Sequence, residues 1–228
     1  MLPKIETPTY KIKLPTGKDV TFRPFLVKER SILLLALEEG NPEGIIDAIR
    51  TLIKTCTFDQ CILDKMSIID AEFLFLSIRN KSVGETLEVI HTCECGKGNE
   101  LIINMEHPKV VGDFSKSDIQ IDSNTWIKMK YPSFSDSTII SDNPTEEQIL
   151  EMIGSCIDSI IQSNSVYKAV DASKEELNDF ILSLTQQQLV KIEEFFMHLP
   201  KLVVEHSYVC KCGKQNDLML EGLENFFA

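Results

Sequence analysis

Two short stretches hold the residues whose type and spacing could do chemistry: Cys93-Glu94-Cys95-Gly96 and Cys210-Lys211-Cys212-Gly213. Two thiolates close together on a turn form half of a structural zinc site, which takes four sulfur or nitrogen ligands in a tetrahedron. Two halves make one site. Cys93, Cys95, Cys210 and Cys212 are therefore expected to converge on a single structural zinc per chain. Only one residue separates each pair, where zinc knuckles commonly have two, and Gly96 and Gly213 supply the positive φ that a wider turn needs. The alternatives are thiol pairs that stay reduced and bind nothing, or pairs that oxidise to one another. His91 and His206 precede the pairs and read as strand residues or outer partners, not ligands. With no histidine or carboxylate at the tips to suggest an open fourth position, the expected site is closed.

Apolar, β-rich runs must position these thiols: Thr86-Leu87-Glu88-Val89-Ile90 leads into the first pair and Leu202-Val203-Val204-Glu205-His206 into the second. Each pair is followed by another apolar run, so the reading is two hairpins with cysteines at their tips. Upstream, Tyr10 to Leu14 and Asp19 to Arg23 alternate polar and apolar around a Pro15-Thr16-Gly17-Lys18 turn, and Pro3 and Pro8 keep the leader out of helix. This arm either packs as an edge hairpin on its own domain or reaches a partner. Helical spacing covers Val27 to Glu39, which is apolar on more than one face and expected to be buried, then Asn41 to Cys56 and Ser67 to Asn80. Trp126 falls in a β-rich stretch and reads as a half-buried strand position. Asn143-Pro144-Thr145-Glu146 is expected to cap a helix running to about Gln162, with further helices from Ser173 and from Thr185 to His198. The order of cap, helices, strand and cysteine hairpin recurs, which suggests an internal duplication. The expected fold is α+β, a mostly helical two-lobed protein with an N-terminal β-hairpin arm and a zinc-ribbon-like site. Its divisions are an arm over 1–26, a helical lobe over 27–109, a β-rich connecting segment over 110–142 and a second helical lobe over 143–228.

The 228 residues carry a formal net charge of −12, which argues against nonspecific binding to phosphate backbones. No apolar run reaches the length of a membrane span and no basic-then-apolar leader is present, so a soluble, unsecreted protein with no membrane partner is expected. The cysteine count is odd, and Cys56, Cys61 and Cys156 lie in apolar stretches, which suits a reducing compartment better than a disulfide framework. No nucleophile and base combination, phosphate loop or His-Glu-x-x-His run occurs, so no enzymatic activity and no small-molecule substrate are expected. Lys97, Lys211 and Lys214 beside the cysteines keep one alternative open, a zinc-ribbon regulator that binds nucleic acid, although Glu94, Glu100 and Asp217 offset them.

Pro8-Thr9-Tyr10, Leu14-Pro15-Thr16-Gly17 and the run Phe22-Arg23-Pro24-Phe25-Leu26-Val27-Lys28-Glu29 resemble the opening of the baseplate proteins of T-even-type contractile-tailed bacteriophages. The resemblance extends through the cysteine hairpins and lapses between Val110 and Asp142. It implies a non-enzymatic part in the central hub of the tail baseplate, as resident subunit or as assembly factor, with other baseplate or hub proteins as partners. The implied location is the host cytoplasm during assembly and the virion tail. Arg23, Phe25 and Lys28 are the implied contact residues, unless Arg23 pairs with a carboxylate of its own domain and Phe25 plugs the following helix. Phe226 and Phe227 either dock into a partner or fold back on their own domain.

Overall fold

The computed structural model describes residues 5–112, 114, 117–137 and 145–226. In chain order the first elements are β1 (Tyr10–Lys13), β2 (Asp19–Phe22), α1 (Val27–Glu39), α2 (Pro42–Cys56), α3 (Ile68–Val83), β3 (Thr86–Thr92), β4 (Gly98–Asn104) and β5 (Lys109–Val111). Then come β6 (Asp118–Gln120), β7 (Thr125–Met129), α4 (Phe134–Ser137), α5 (Glu146–Cys156), β8 (Ile157–Gln162), β9 (Ser165–Lys168), α6 (Lys174–Leu182) and α7 (Gln186–Met197). The chain closes with β10 (Lys201–Val209), β11 (Gln215–Glu221) and a 3-10 turn over Leu223–Phe226. Helix and strand are both well represented, as an α+β fold requires.

The chain divides into two units, and the division differs from the contiguous lobes that the sequence suggests. The first comprises residues 1–111 and 201–228, and the second is an insertion comprising 112–200. The second cysteine hairpin therefore belongs with the first and not with the helices that precede it. The reason lies in strand pairing: β10 pairs antiparallel with β5, Lys201 opposite Val111 and Val203 opposite Lys109, so the chain leaves and returns on adjacent strands. Inside the insertion, Gly112 (φ +122°) begins where Pro200 ends, and a Cβ there would lie 2.6 Å from the Pro200 Cα. Only glycine fits that approach.

Within the first unit, the β1–β2 hairpin is docked on its own core. Leu14, Val20 and Phe22 are buried, and Asp70 of α3 accepts hydrogen bonds from the Thr16 amide at 3.1 Å and the Thr16 hydroxyl at 2.5 Å. The start of α1 is fixed by Glu29, which reaches back to the Leu26 amide at 2.6 Å and pairs with Arg23 at 3.0 Å. Asn41 caps α2 through the Glu43 amide and Ser67 caps α3 through the Asp70 amide, each satisfying an otherwise unpaired helix N–H. Expected to be buried all round, α1 instead covers only the face carrying Glu29, Leu33 and Ala36; Val27 and Leu35 remain 80% and 59% exposed.

The C-terminal end of α3 positions the first cysteine hairpin. The buried Arg79 donates to the carbonyls of Gly84 (2.7 Å) and Thr86 (3.1 Å), and Asn80 donates to the Met105 carbonyl at 2.7 Å, so both ends of the hairpin's base are held by one turn of helix. The second hairpin is held at its base by the β5–β10 ladder.

The inserted unit is a β6-β7-β8-β9 antiparallel sheet with helices on the face that alternation makes apolar: Ile127 and Met129 point inward and Lys128 outward. Ile153, Ile157, Ile181, Ile192 and Phe195 complete the core. Trp126 is 39% exposed on β7. The expected long helix to Gln162 is shorter: α5 ends at Cys156, and Ile157 to Gln162, with β-branched residues at 157, 160 and 161, pairs with β7 as a strand. Thr145 caps α5 through Gln148, while the Asn143-Pro144 part of the expected cap lies outside the described residues. A second hairpin, β8–β9, thus interrupts the order that suggested a duplication, and the two halves of the chain do not share one arrangement.

Glu72 of α3 is buried against β10, and its carboxyl is pushed up to about 7 by burial first and by Glu221 next, against the lowering effects of Lys201 and the Leu202 amide. A carboxyl whose pKa is raised on folding stabilises the fold while protonated and loses that advantage as pH rises through the folded value. Glu72→Gln should therefore melt higher than the parent above about pH 7, by up to about 3 kcal/mol from the size of the shift. The difference should vanish toward pH 4 when melting is followed across that range.

Candidate metal centre

The β3–β4 and β10–β11 hairpins end in the same five-residue turn. In the first, the Cys93 amide donates to the Lys97 carbonyl (3.0 Å) and the Gly96 amide to the Cys93 carbonyl (2.8 Å); in the second, Cys210 donates to Lys214 and Gly213 to Cys210, both at 2.8 Å. Gly96 (φ 81°) and Gly213 (φ 90°) take the left-handed conformation that brings the second cysteine back toward the first. A single intervening residue suffices because one cysteine sits at the base of the turn and the other at its crown.

The two tips meet. The Sγ atoms of Cys93, Cys95, Cys210 and Cys212 all lie within 4.8 Å of one another, although Cys95 and Cys210 are 115 residues apart in sequence. The Cys95 and Cys210 sulfurs are 3.7 Å apart, well beyond a disulfide bond of about 2 Å. Four sulfurs at about 2.3 Å from a zinc ion would be about 3.8 Å from each other, so the cluster has the size of a tetrahedral thiolate cage. Cys93 and Cys210 are buried, and Cys95 and Cys212 are exposed. The thiols do not titrate alike. The Cys212 backbone N–H, followed by the Asn99 amide among the lowering influences, brings Cys210 down to about 6. At Cys95 the Lys97 backbone N–H lowers the pKa, but partial desolvation by the neighbouring hairpin and the three adjacent thiols prevail and push it up to about 11. Clustered thiols resist sharing negative charge, and a divalent cation among them relieves that conflict.

Around the sulfurs, polar contacts cross from hairpin to hairpin. The His91 Nδ1 is 2.7 Å from the Tyr208 hydroxyl, with the rings edge to face, so His91 contacts the opposite strand and not a sulfur. Glu94 pairs with Lys214, which spends one of the cations that a nucleic-acid role would need. The Asn99 amide lies 3.5 Å from the Cys210 sulfur, and the Asn216 amide oxygen lies 3.4 Å from the Cys93 sulfur. Sequence reasoning missed both asparagines. The signal was present, since the repeated unit is longer than four residues: Cys-x-Cys-Gly-Lys-x-Asn occurs at 93–99 and again at 210–216.

The remaining expected site residues lie elsewhere. The Arg23 side chain is only 12% exposed and is committed to Glu29, so it fixes the joint between β2 and α1. Phe25 is half-buried, with its amide donating to Ser82 Oγ at 2.9 Å. Lys28 is 72% exposed on α1. Phe226 is fully buried in its own unit and is not available for docking, because the 3-10 turn carries it inward; Phe227 lies outside the described residues.

Residues 7–228 match the family described as T4 bacteriophage base plate protein, and the chain belongs to that family. It is similar to the baseplate hub assembly protein gp26 of Enterobacteria phage T4, with 27% identity over 225 residues that cover 96% of this chain and 97% of the relative. No solved structure matches the chain.

If the four thiols hold an ion, stability must depend on it, because structural metal binding is coupled to folding. The double variant Cys93→Ser and Cys210→Ser should lose several kcal/mol and no longer respond to a chelator. Cys156→Ala, in the inserted unit, should keep the parent's chelator response in thermal melts.

Proposed function

We propose that this protein acts, without catalysis, in the hub of the phage tail baseplate, as a resident subunit or an assembly factor, through protein contacts. It works in the host cytoplasm during assembly and, as a subunit, in the virion tail. The observation that carries the reading is similarity along nearly the whole chain to a protein named for hub assembly. A single zinc held by Cys93, Cys95, Cys210 and Cys212 is its structural centre, a zinc-ribbon-like site in which the metal rigidifies and the surface does the work. The donor set supports zinc: four thiols in a cage-sized cluster form a closed site with no position left for substrate or water.

The outer face of α1 is the contact surface we favour. Val27, Ile32, Leu34 and Leu35 are exposed there beside Lys28, on a helix whose apolar residues run all round. A helix of that composition is ordinarily covered on all sides, and an uncovered apolar stripe is costly in water. Another baseplate protein is the occupant this reading assigns to it. Arg23 and Phe25 contribute indirectly, by holding the start of that helix.

The test is affinity capture of the full-length tagged chain from phage-infected cells, with mass spectrometry of what co-purifies. Baseplate proteins should be recovered with the parent and lost with Leu35→Glu, whose melting temperature should stay at the parent value because the side chain is already exposed. Recovery of no baseplate protein by the parent, or equal recovery by the variant, would overturn the function or the surface respectively. Stoichiometric presence in purified virions would mark a subunit, and absence an assembly factor.

A further inference from the structure

We propose that Asn99 and Asn216 are the positioning residues of the metal centre, each lending its side-chain amide to the leading cysteine of the opposite hairpin. The inference rests on the metal reading given above. Both asparagines stand six residues after the first cysteine of their own motif, and each reaches the leading cysteine of the opposite hairpin, Asn99 as donor to Cys210 and Asn216 as acceptor from the Cys93 thiol. The Asn99 Nδ2 donates to the Lys97 carbonyl at 3.0 Å and faces the Cys210 sulfur at 3.5 Å, while its Oδ1 accepts from the Lys211 amide at 3.4 Å. The Asn216 Nδ2 donates to the Lys214 carbonyl at 2.9 Å, and its Oδ1 lies 3.4 Å from the Cys93 sulfur.

Solvent access explains why these two sulfurs need help. Cys93 and Cys210 are each 2% exposed, so water cannot solvate their thiolates, whereas Cys95 and Cys212 face solvent and can be hydrated directly. A buried anion without donors is expensive, and amide N–H groups on metal-bound ligands orient them and moderate their charge. Asn99 already presents N–H to Cys210. Asn216 presents its oxygen to Cys93, which suits a protonated thiol. Turning that amide over, with a water taken up between its oxygen and the Lys214 carbonyl so that the two acceptors do not meet, gives the metal-bound thiolate an N–H donor; the Lys214 carbonyl keeps the Cys210 amide at 2.8 Å.

Because the amides cross, neither hairpin completes its own site. The first cysteine pair gains its outer hydrogen bond only when β11 delivers Asn216, so the metal is held firmly only once the two hairpins have come together.

The experiment uses the full-length protein with Co²⁺ in place of zinc. The parent should show the sulfur-to-cobalt charge-transfer bands of a tetrathiolate site. Asn99→Ala and Asn216→Ala remove the donors without adding charge, and should move those bands to lower energy, because an unbonded thiolate donates more strongly. Metal affinity in chelator competition should fall by about 10- to 100-fold. A merely structural role would leave the band energies unmoved. If Asn99→Ala fails to fold, the half-buried Asn216 decides, since its loss leaves no large cavity. Parent-like bands and affinity in the folded variants would overturn the inference; a parent with no cobalt–thiolate bands would overturn the metal reading, and this inference with it.

Discussion

Four sulfurs brought within 4.8 Å of one another are the constraint around which this molecule is arranged. Thiolates packed this closely would repel one another, and a cation among them would relieve that repulsion. A shared ligand is the reading proposed for their convergence. The two hairpins are cut to the same pattern, with a left-handed glycine at the crown of each turn and a buried cysteine at its base. Their bases are anchored independently, one by Arg79 and Asn80 at the end of α3 and the other by the β5–β10 ladder. The tips therefore meet because two separate parts of the framework aim them.

The same arrangement accounts for the discontinuous first unit. A chain that departs at Val111 and returns at Lys201 must pay the entropy of closing a long loop, and short strand pairing alone closes it weakly. A second tie at the hairpin tips adds closure at a distance from the first. The hydrophobic core supplies the bulk of the stabilisation in each unit, with Phe22, Phe75 and Phe226 fully buried in one and Ile127, Ile157 and Ile192 in the other. The sulfur cluster is a second place at which the two segments of the first unit meet. The exposed stripe on α1 is the surface to which the proposed partner contact is assigned.

Much of this was legible in the residues. The cysteine pairs stood out by spacing, the hairpins by alternation, and the helix starts by Asn41, Ser67, Ser173 and Thr185, each of which does cap a helix. The partition was not legible, because the pairing of Lys109–Val111 with Lys201–Val203 is a long-range contact that leaves no mark on either short segment. Ile157 to Ile161 read as helix because a short apolar run has no decisive period, and its pairing with β7 settled the matter. Arg23 entered as a contact residue through the family resemblance, and the alternative named beside it, a carboxylate of its own domain, is what Glu29 provides. Asn99 and Asn216 went unnoticed because an asparagine after a strand turn is commonplace, and only superposing the two motifs gives them a role.

Zinc K-edge X-ray absorption on the purified full-length protein tests the central claim most directly. A first shell of four sulfur atoms at about 2.3 Å, with no nitrogen or oxygen, is the predicted result. A shell containing lighter atoms, or a folded protein that retains no zinc when prepared in its presence, would contradict the account.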